Sequence, residues 1–156
     1  MDLTFGKEEL AFQQQVRDWL KENLTPEIMG EIKVGRNAYM PKERLIDWQK
    51  RLAKKGWLCT GWPKEFGGKG FGEIEQQIFT NEAVRADVPL PAVTLQTVGP
   101  TLQAHGTAEQ KDRFLPKILS GEVHFAIGYT EPDAGTDLAS LTTSAVREGD
   151  EYIVNG

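Results

Sequence analysis

The sequence predicts a mainly α fold with a short β portion at its carboxy end. Up to Ser120, apolar residues recur at helical spacing in one segment after another. The breaks between these segments are made by proline and glycine, the residues least able to continue a helix. After Glu122 the pattern changes to short strand-like runs separated by polar turns.

The first helix is expected from Gly6 to about Leu24, with Phe12, Val16, Trp19, Leu20 and Leu24 on one face. Gly6 can cap it, Glu8 and Glu9 suit its positive end, and Phe5 with Leu10 occupy the two positions of a hydrophobic staple. Thr25-Pro26 ends it, and residues 26–40, with Gly30 and Gly35, read as a short helical piece in a loop. A second major helix runs from Pro41, as its first residue, to Lys55, with the stripe Leu45, Trp48 and Leu52 and with Gly56 as a left-handed terminator. The glycines between Gly61 and Gly72 are separated by aromatics and follow no strand, so a surface turn anchored by Trp62 and Phe66 is the better reading than a phosphate-cradling loop. Glu73–Ala86 forms the next helix, with Ile74, Ile78 and Phe79 inward and Ala83 allowing close approach. Pro89-Leu90-Pro91 breaks it. Another helix covers about 92–104, disturbed at Gly99-Pro100 and closed by His105-Gly106. Thr107 and Gln110 make a capping box for the last helix, which Pro116 kinks or ends. His124–Tyr129 is a candidate strand. Leu141–Val146 and Glu151–Val154 form a hairpin around a four-residue connection, Arg147-Glu148-Gly149-Asp150.

At 156 residues the chain is long enough for one domain with a real core. Its net charge of −5 and lack of a Lys/Arg run argue against a nucleic-acid surface. Lys50, Arg51, Lys54 and Lys55 fall at a helix end, where cations oppose the helix dipole favourably. The single cysteine, Cys59, excludes an internal disulfide, fits a reducing compartment, and reads as a buried small hydrophobe. Two distant histidines, His105 and His124, make no metal site with it. No stretch reaches membrane-spanning length and the amino terminus, Met1-Asp2-Leu3-Thr4, lacks a signal-peptide form, so a cytoplasmic protein is expected.

The segment with the most chemistry is Ala126–Asp137, where an apolar run breaks into hydroxyl, carboxylate, proline and glycine. Such a corner leaves backbone N–H groups and two threonine hydroxyls able to face carbonyl or phosphate oxygens. The same threonines could instead serve only the turn's own backbone.

Tyr129-Thr130-Glu131-Pro132, then Ala134-Gly135-Thr136-Asp137 and Ala139-Ser140, resembles the signature segment of flavin-dependent acyl-CoA dehydrogenases. The pattern departs at Tyr129, where the family has an aliphatic residue. Gly61–Gly68, Gly106–Lys111 and Leu115–Glu122 agree with the family in order and spacing, so the resemblance covers the chain. It implies a helical amino-terminal domain at 1–121 and, at 122–156, the incomplete beginning of a middle β domain. About 35 residues of that kind are too few to build a core unaided, so the chain is expected to be a fragment.

The activity implied is α,β-desaturation of an acyl-CoA thioester, with hydride transfer to FAD. By resemblance Ile127, Gly128, Tyr129, Thr130, Glu131, Gly135 and Thr136 would bind FAD, with Thr136 also facing the CoA part of the substrate. Leu95, Val98 and Gly99 would form one wall of the acyl pocket, although plain helix packing explains them as well. Glu131 is rejected as the general base: Pro132 fixes its backbone, and the family's base comes from a carboxy-terminal domain. Glu131 and Asp137 instead accept hydrogen bonds that hold the turn. The resemblance also implies an electron-transfer flavoprotein as acceptor and a homo- or hetero-oligomer. The Tyr129 variant and the Trp62-Pro63 loop resemble actinobacterial members acting on steroid or long-chain acyl-CoA esters. Competing readings are an acyl-CoA oxidase-like or nitroalkane-oxidising flavoenzyme, and a non-catalytic helical subunit that binds partners.

Overall fold

The computed structural model describes residues 4–34 and 41–156, with side chains left aside at 31–34. The chain divides into two compact units, one ending at Phe125 and the other spanning Ala126–Gly156. Among the described residues, the regular elements of the first unit are all helical. Its elements are α1 (Lys7–Asn23), α2 (Pro26–Val34), α3 (Lys42–Lys55), a short 3-10 turn at Lys64–Phe66, and α4 (Glu73–Arg85). A π turn at Val93–Val98 follows, running directly into α5 (Gly99–His105), and α6 (Ala108–Leu119) closes the unit. The second unit contains a short 3-10 turn at Leu138–Ser140 and the hairpin β1 (Ser144–Glu148) and β2 (Glu151–Asn155). The expectations for Met1–Leu3 and Gly35 lie outside the described residues.

The predicted helices form where their apolar stripes can be covered. Val16 and Leu20 of α1, Trp48 and Leu52 of α3, and Phe79 and Ala83 of α4 meet in one core with Leu115 and Ile118 of α6. Aromatic edges knit its centre: Trp19 lies 5.7 Å from Trp48 and 5.4 Å from Trp57, and Phe79 lies 5.9 Å from Trp57. The two edge-to-face pairs, Trp19–Trp57 and Phe79–Trp57, add about 0.5–1.5 kcal/mol each beyond the area they bury. Buried Glu82 of α4 enters the same packing without losing its charge. It accepts from Arg17 Nε at 2.8 Å, Arg17 Nη2 at 2.9 Å and Gln13 Nε2 at 2.8 Å, all from α1, and from Arg85 at 3.1 Å.

The helix ends follow local chemistry. Gly6 N–H donates to the Glu9 carboxylate at 2.6 Å, and Gly56 ends α3 at φ 76°, where a side chain would be strained. The Thr107–Gln110 box is present in both directions, at 3.2 and 2.9 Å. Phe5 and Leu10, the proposed staple pair, are both exposed.

Five expectations are corrected. Pro41 stands at the cap of α3 and not at its first position, because its ψ of 142° is non-helical while its carbonyl already accepts from Leu45 N. Ile74 is exposed on the first turn of α4, and only Ile78, Phe79 and Ala83 of the predicted set are buried. Pro116 does not end α6, which continues to Leu119. The proline side chain is exposed, and its carbonyl still accepts from Ser120 N at 3.0 Å. His124–Tyr129 is not a strand, since no described residue offers it a ladder partner. The hairpin is joined by two residues, Gly149-Asp150, because Arg147 pairs with Tyr152 and Glu148 with Glu151. Gly149 carries φ 65° and Asp150 a negative φ, the signature of a type II′ turn that matches strand twist.

Candidate functional site

The segment Ala126–Thr130 approaches its corner without secondary structure. Pro132 then occupies the second position of a tight turn in which Ala134 N donates to the Glu131 carbonyl at 3.1 Å and Glu131 N to the Ala134 carbonyl at 3.2 Å. A second turn follows, where Ser140 N and Oγ donate to the Asp137 carbonyl at 3.2 and 2.8 Å. Asp137 thus accepts hydrogen bonds that hold the turn, as expected, and does so through its main-chain carbonyl.

Glu131 closes the loop. Its carboxylate accepts from Thr142 N at 2.9 Å, Thr142 Oγ1 at 2.9 Å, Thr143 N at 2.6 Å and the Thr143 hydroxyl. Donation from the Thr143 hydroxyl, then from the Thr142 and Thr143 N–H groups and the Thr142 hydroxyl, pulls the Glu131 pKa down to about 2. A carboxylate so weakly basic, with both oxygens engaged, is badly matched to proton abstraction near neutral pH. It is a brace for the corner.

With the carboxylate turned onto Thr142 and Thr143, the remaining groups are left outward. Ile127, Gly128, Tyr129, Thr130, Gly135 and Thr136 are all exposed, Tyr129 to 66%. A Cβ added at Gly128 or Gly135 would meet nothing within 4 Å, so the backbone is open there. Among the described residues, the main-chain N–H groups of 127–130 and 135–137 donate to no protein group. Donors without acceptors and two exposed threonine hydroxyls fit an oxygen-rich ligand such as a flavin with its pyrophosphate.

The three residues expected at the acyl wall lie in the first unit. Leu95 packs against the core, and its carbonyl accepts from Trp62 Nε1 at 3.0 Å. Gly99 is buried where a Cβ would overlap the Trp62 ring, and Val98 is half-buried. Beside Trp62 lies a cleft of about 200 Å3 whose lining includes Thr60, Gln76, Leu95, Gln96 and Pro100, but not Val98 or Gly99. Trp62 itself, buried to 4% exposure, is the residue that sequence reasoning treated only as a loop anchor. The adjacent Gly99-Pro100 pair was the available signal: a missing side chain beside a missing N–H invites an outside donor. Thr142 and Thr143 were also missed, and nothing in the hairpin pattern distinguishes them.

The remaining candidates carry no chemistry. Burial pushes the Cys59 thiol up to about 12, far from a nucleophilic thiolate. The His124 Nδ1 lies 3.1 Å from Nε2 of buried Gln49, a structural contact, and His105 ends α5. Among the described residues no cluster of ligands could hold a metal, and no helix is long and apolar enough to cross a membrane.

Comparison with known proteins agrees with this architecture. Residues 6–122 match the sequence profile of the acyl-CoA dehydrogenase N-terminal domain. The acyl-CoA dehydrogenase FadE29 of Mycobacterium tuberculosis is 60% identical over 156 residues, covering 100% of this chain and 39% of its own. The crystal structure of the ChsE4–ChsE5 complex from the same species superposes at a TM-score of 0.84 with 43% identity, covering 100% of this chain and 39% of that one. The Tcur3481–Tcur3483 steroid acyl-CoA dehydrogenase reaches 0.87 with 47% identity over 100% of this chain and 40% of its own. The chain therefore spans about 39% of the length of FadE29. With a helical unit of the matching kind, a two-stranded beginning of a β portion and that profile over most of its residues, the chain belongs to the acyl-CoA dehydrogenase family.

Proposed function

We propose that this chain is the amino-terminal part of an FAD-dependent acyl-CoA dehydrogenase that removes hydrogen across the α and β carbons of an acyl-CoA thioester. The observation that carries the reading is the Glu131-braced corner, which turns the donors of 127–130 and 135–137 outward in a chain 60% identical to an acyl-CoA dehydrogenase. FAD, when bound, supplies the hydride acceptor.

The chain's own residues bind and orient. The N–H groups near Tyr129 and Thr130 and the Thr130 hydroxyl are assigned to the flavin ring edge, where each donor to developing negative charge contributes about 1–3 kcal/mol. Thr136 is assigned to the pyrophosphate and to the CoA portion of the substrate, where a hydroxyl donates without fixing a charge. Leu95, Val98 and Gly99 are assigned to the helix that walls the acyl site, Gly99 through its packing. The general base is assigned outside these 156 residues, since Glu131 is committed to the turn.

Residues 1–121 are assigned to the helical domain and 122–156 to the beginning of a middle β domain. Likeness to a steroid acyl-CoA dehydrogenase supports a bulky acyl group, and likeness to the ChsE4–ChsE5 complex supports a hetero-oligomer. An electron-transfer flavoprotein is the acceptor expected for this chemistry. The test is anaerobic: full-length protein is mixed with short-chain, long-chain and steroid-side-chain acyl-CoA, and flavin absorbance is followed. Bleaching by one of them establishes the reaction and its substrate class. A purified protein without flavin, or one whose flavin none of them bleaches, overturns the reading.

A further inference from the structure

The helix between Pro91 and His105 changes register. Val93–Val98 is a π turn, and Gly99–His105 resumes α geometry. Within the turn, Gly99 N–H donates to the Thr94 carbonyl, a π-type bond to the fifth residue back. This leaves the Leu95 carbonyl with no main-chain partner in either register. Its α partner would be the Gly99 N–H, already given to Thr94, and its π partner would be Pro100, which has no N–H.

Trp62 fills the vacancy from outside the helix, donating from Nε1 at 3.0 Å. Gly99 lies under the same indole, in space a Cβ would need, so its bareness is what lets the ring approach. Trp62, Leu95, Gly99 and Pro100 thus form one lock on the helix register. Beyond the lock, the same turn aims buried Thr94 at the Phe125 main chain, whose N–H donates to Thr94 Oγ1 at 2.8 Å. The turn also presents Gln96 and Thr97 outward.

We propose that Trp62 is a positioning residue for acyl specificity: by satisfying the carbonyl that Pro100 cannot, it holds residues 93–98 in the π register and so decides which side chains this helix offers to the acyl chain. The inference rests on the acyl-CoA dehydrogenase reading above. Reverting to a regular α register removes the one extra residue of the turn. The wall then rotates by about 100° and slides by about 1.5 Å, so each outward side chain is replaced by its neighbour. A wall altered by one residue discriminates acyl groups differently while the donors of 127–130 and 135–136 keep their sequence.

Two substitutions separate the lock from mere packing. Trp62→Phe keeps the ring and removes the donor. Pro100→Ala restores a main-chain donor within reach of the Leu95 carbonyl and deletes no hydrogen bond. In full-length, flavin-loaded protein Trp62→Phe is expected to change the ratio of kcat/KM between a short and a bulky acyl-CoA on the order of tenfold, whereas Pro100→Ala, which supplies the π partner of the Leu95 carbonyl, leaves that ratio near the wild-type value. The change falls on KM more than on kcat. Trp62→Phe is expected to have little further effect when Pro100→Ala is already present, because position 100 then supplies the missing donor. Wild-type flavin that bleaches, together with a Trp62→Phe variant whose substrate ratio is unchanged or whose shift is not reversed by Pro100→Ala in the double variant, overturns this inference alone. Wild-type flavin that no acyl-CoA bleaches overturns the functional reading and this inference with it. If Trp62→Phe does not fold alone, the double variant decides: folding with the wild-type ratio supports the lock, and a shifted ratio or a continued failure to fold overturns it.

Discussion

The two units are held by different forces. The helical unit buries Val16, Trp48, Leu52, Ile78 and Ile118 almost completely, so its order follows from apolar area removed from water. In the unit from Ala126 onward every residue of both strands is exposed, including Val146, Tyr152, Ile153 and Val154. Its order comes from hairpin pairing and from one carboxylate that gathers Thr142 and Thr143. The contrast teaches where each kind of change will be felt. Loss of apolar volume should damage the first unit, and loss of a charge should damage the second.

The largest effect expected is therefore from Leu52→Ala, which should cost about 2–5 kcal/mol in urea unfolding, the range for emptying a packed leucine site. Ile153→Ala is the partner measurement, and at an exposed position it should stay within about 0.5 kcal/mol. Equal losses from the two would break the comparison. Next comes Glu82→Gln, which tests whether charge matters inside the apolar unit. Buried Glu82 bonds Arg17 first and is also near Arg85, and this holds its carboxyl below the ordinary value of 4.5. Because Arg17 is itself 44% exposed and solvent-screened, the expected cost is about 1–2 kcal/mol. A depressed folded value means that this contribution is complete above the unfolded pKa and fades as pH falls below about 4.5. The Glu82→Gln variant should accordingly lose part of the wild type's acid sensitivity.

What could be read from the sequence follows the same division. The helices were legible because a buried stripe repeats every 3.6 residues and because Thr107–Gln110 and Gly56 mark ends by local chemistry. The Glu82–Arg17 pair was legible in principle and was not read. Glu82 sits four residues from Ile78 and three from Phe79, on the inward face, as Arg17 sits beside Val16. The π turn was seen only as a disturbance at Gly99-Pro100, since its register depends on Trp62 from a distant loop. In the β portion, the apolar run within 124–129 suggested a strand, but a strand exists only with a partner, and the run names none. Arg147 and Glu148 looked like turn residues because they are polar, whereas pairing with Tyr152 and Glu151 depends on the geometry of the two residues between the strands. At the corner, the residue types were legible and the grip of Glu131 on positions eleven and twelve residues later was not.

A smaller effect sharpens the helical side. Thr107→Ala removes the oxygen that accepts from Gln110 N and should cost about 1 kcal/mol, visible as a lowered melting temperature. Thr107→Ser should restore most of it, since the hydroxyl and its geometry return. If both variants melt alike, the box is not contributing and α6 is held by Leu115 and Ile118 alone.

The smallest effect on global stability bears most directly on the candidate site. Glu131 titrates at about 2 in the folded chain against an ordinary 4.5, so its hold on Thr142 and Thr143 is intact at neutral pH. It should loosen progressively as pH falls from about 4.5 toward about 2, the direction required when the folded value is the lower one. Glu131→Gln should reproduce that loosening at neutral pH, because a neutral amide accepts more weakly and offers one oxygen in place of two. The measurement is amide hydrogen exchange at Thr142 and Thr143, compared with amides of Leu52 and Ile118 in the helical core. Faster exchange confined to the corner, with core protection unchanged, is the expected result. Parallel loss of core protection would mean that the carboxylate supports the whole molecule and that the two units are not held independently. If Glu131→Gln also weakens flavin retention in the full-length protein while the core amides stay protected, the brace and the outward donors of 127–130 act as one device, as the proposed function requires.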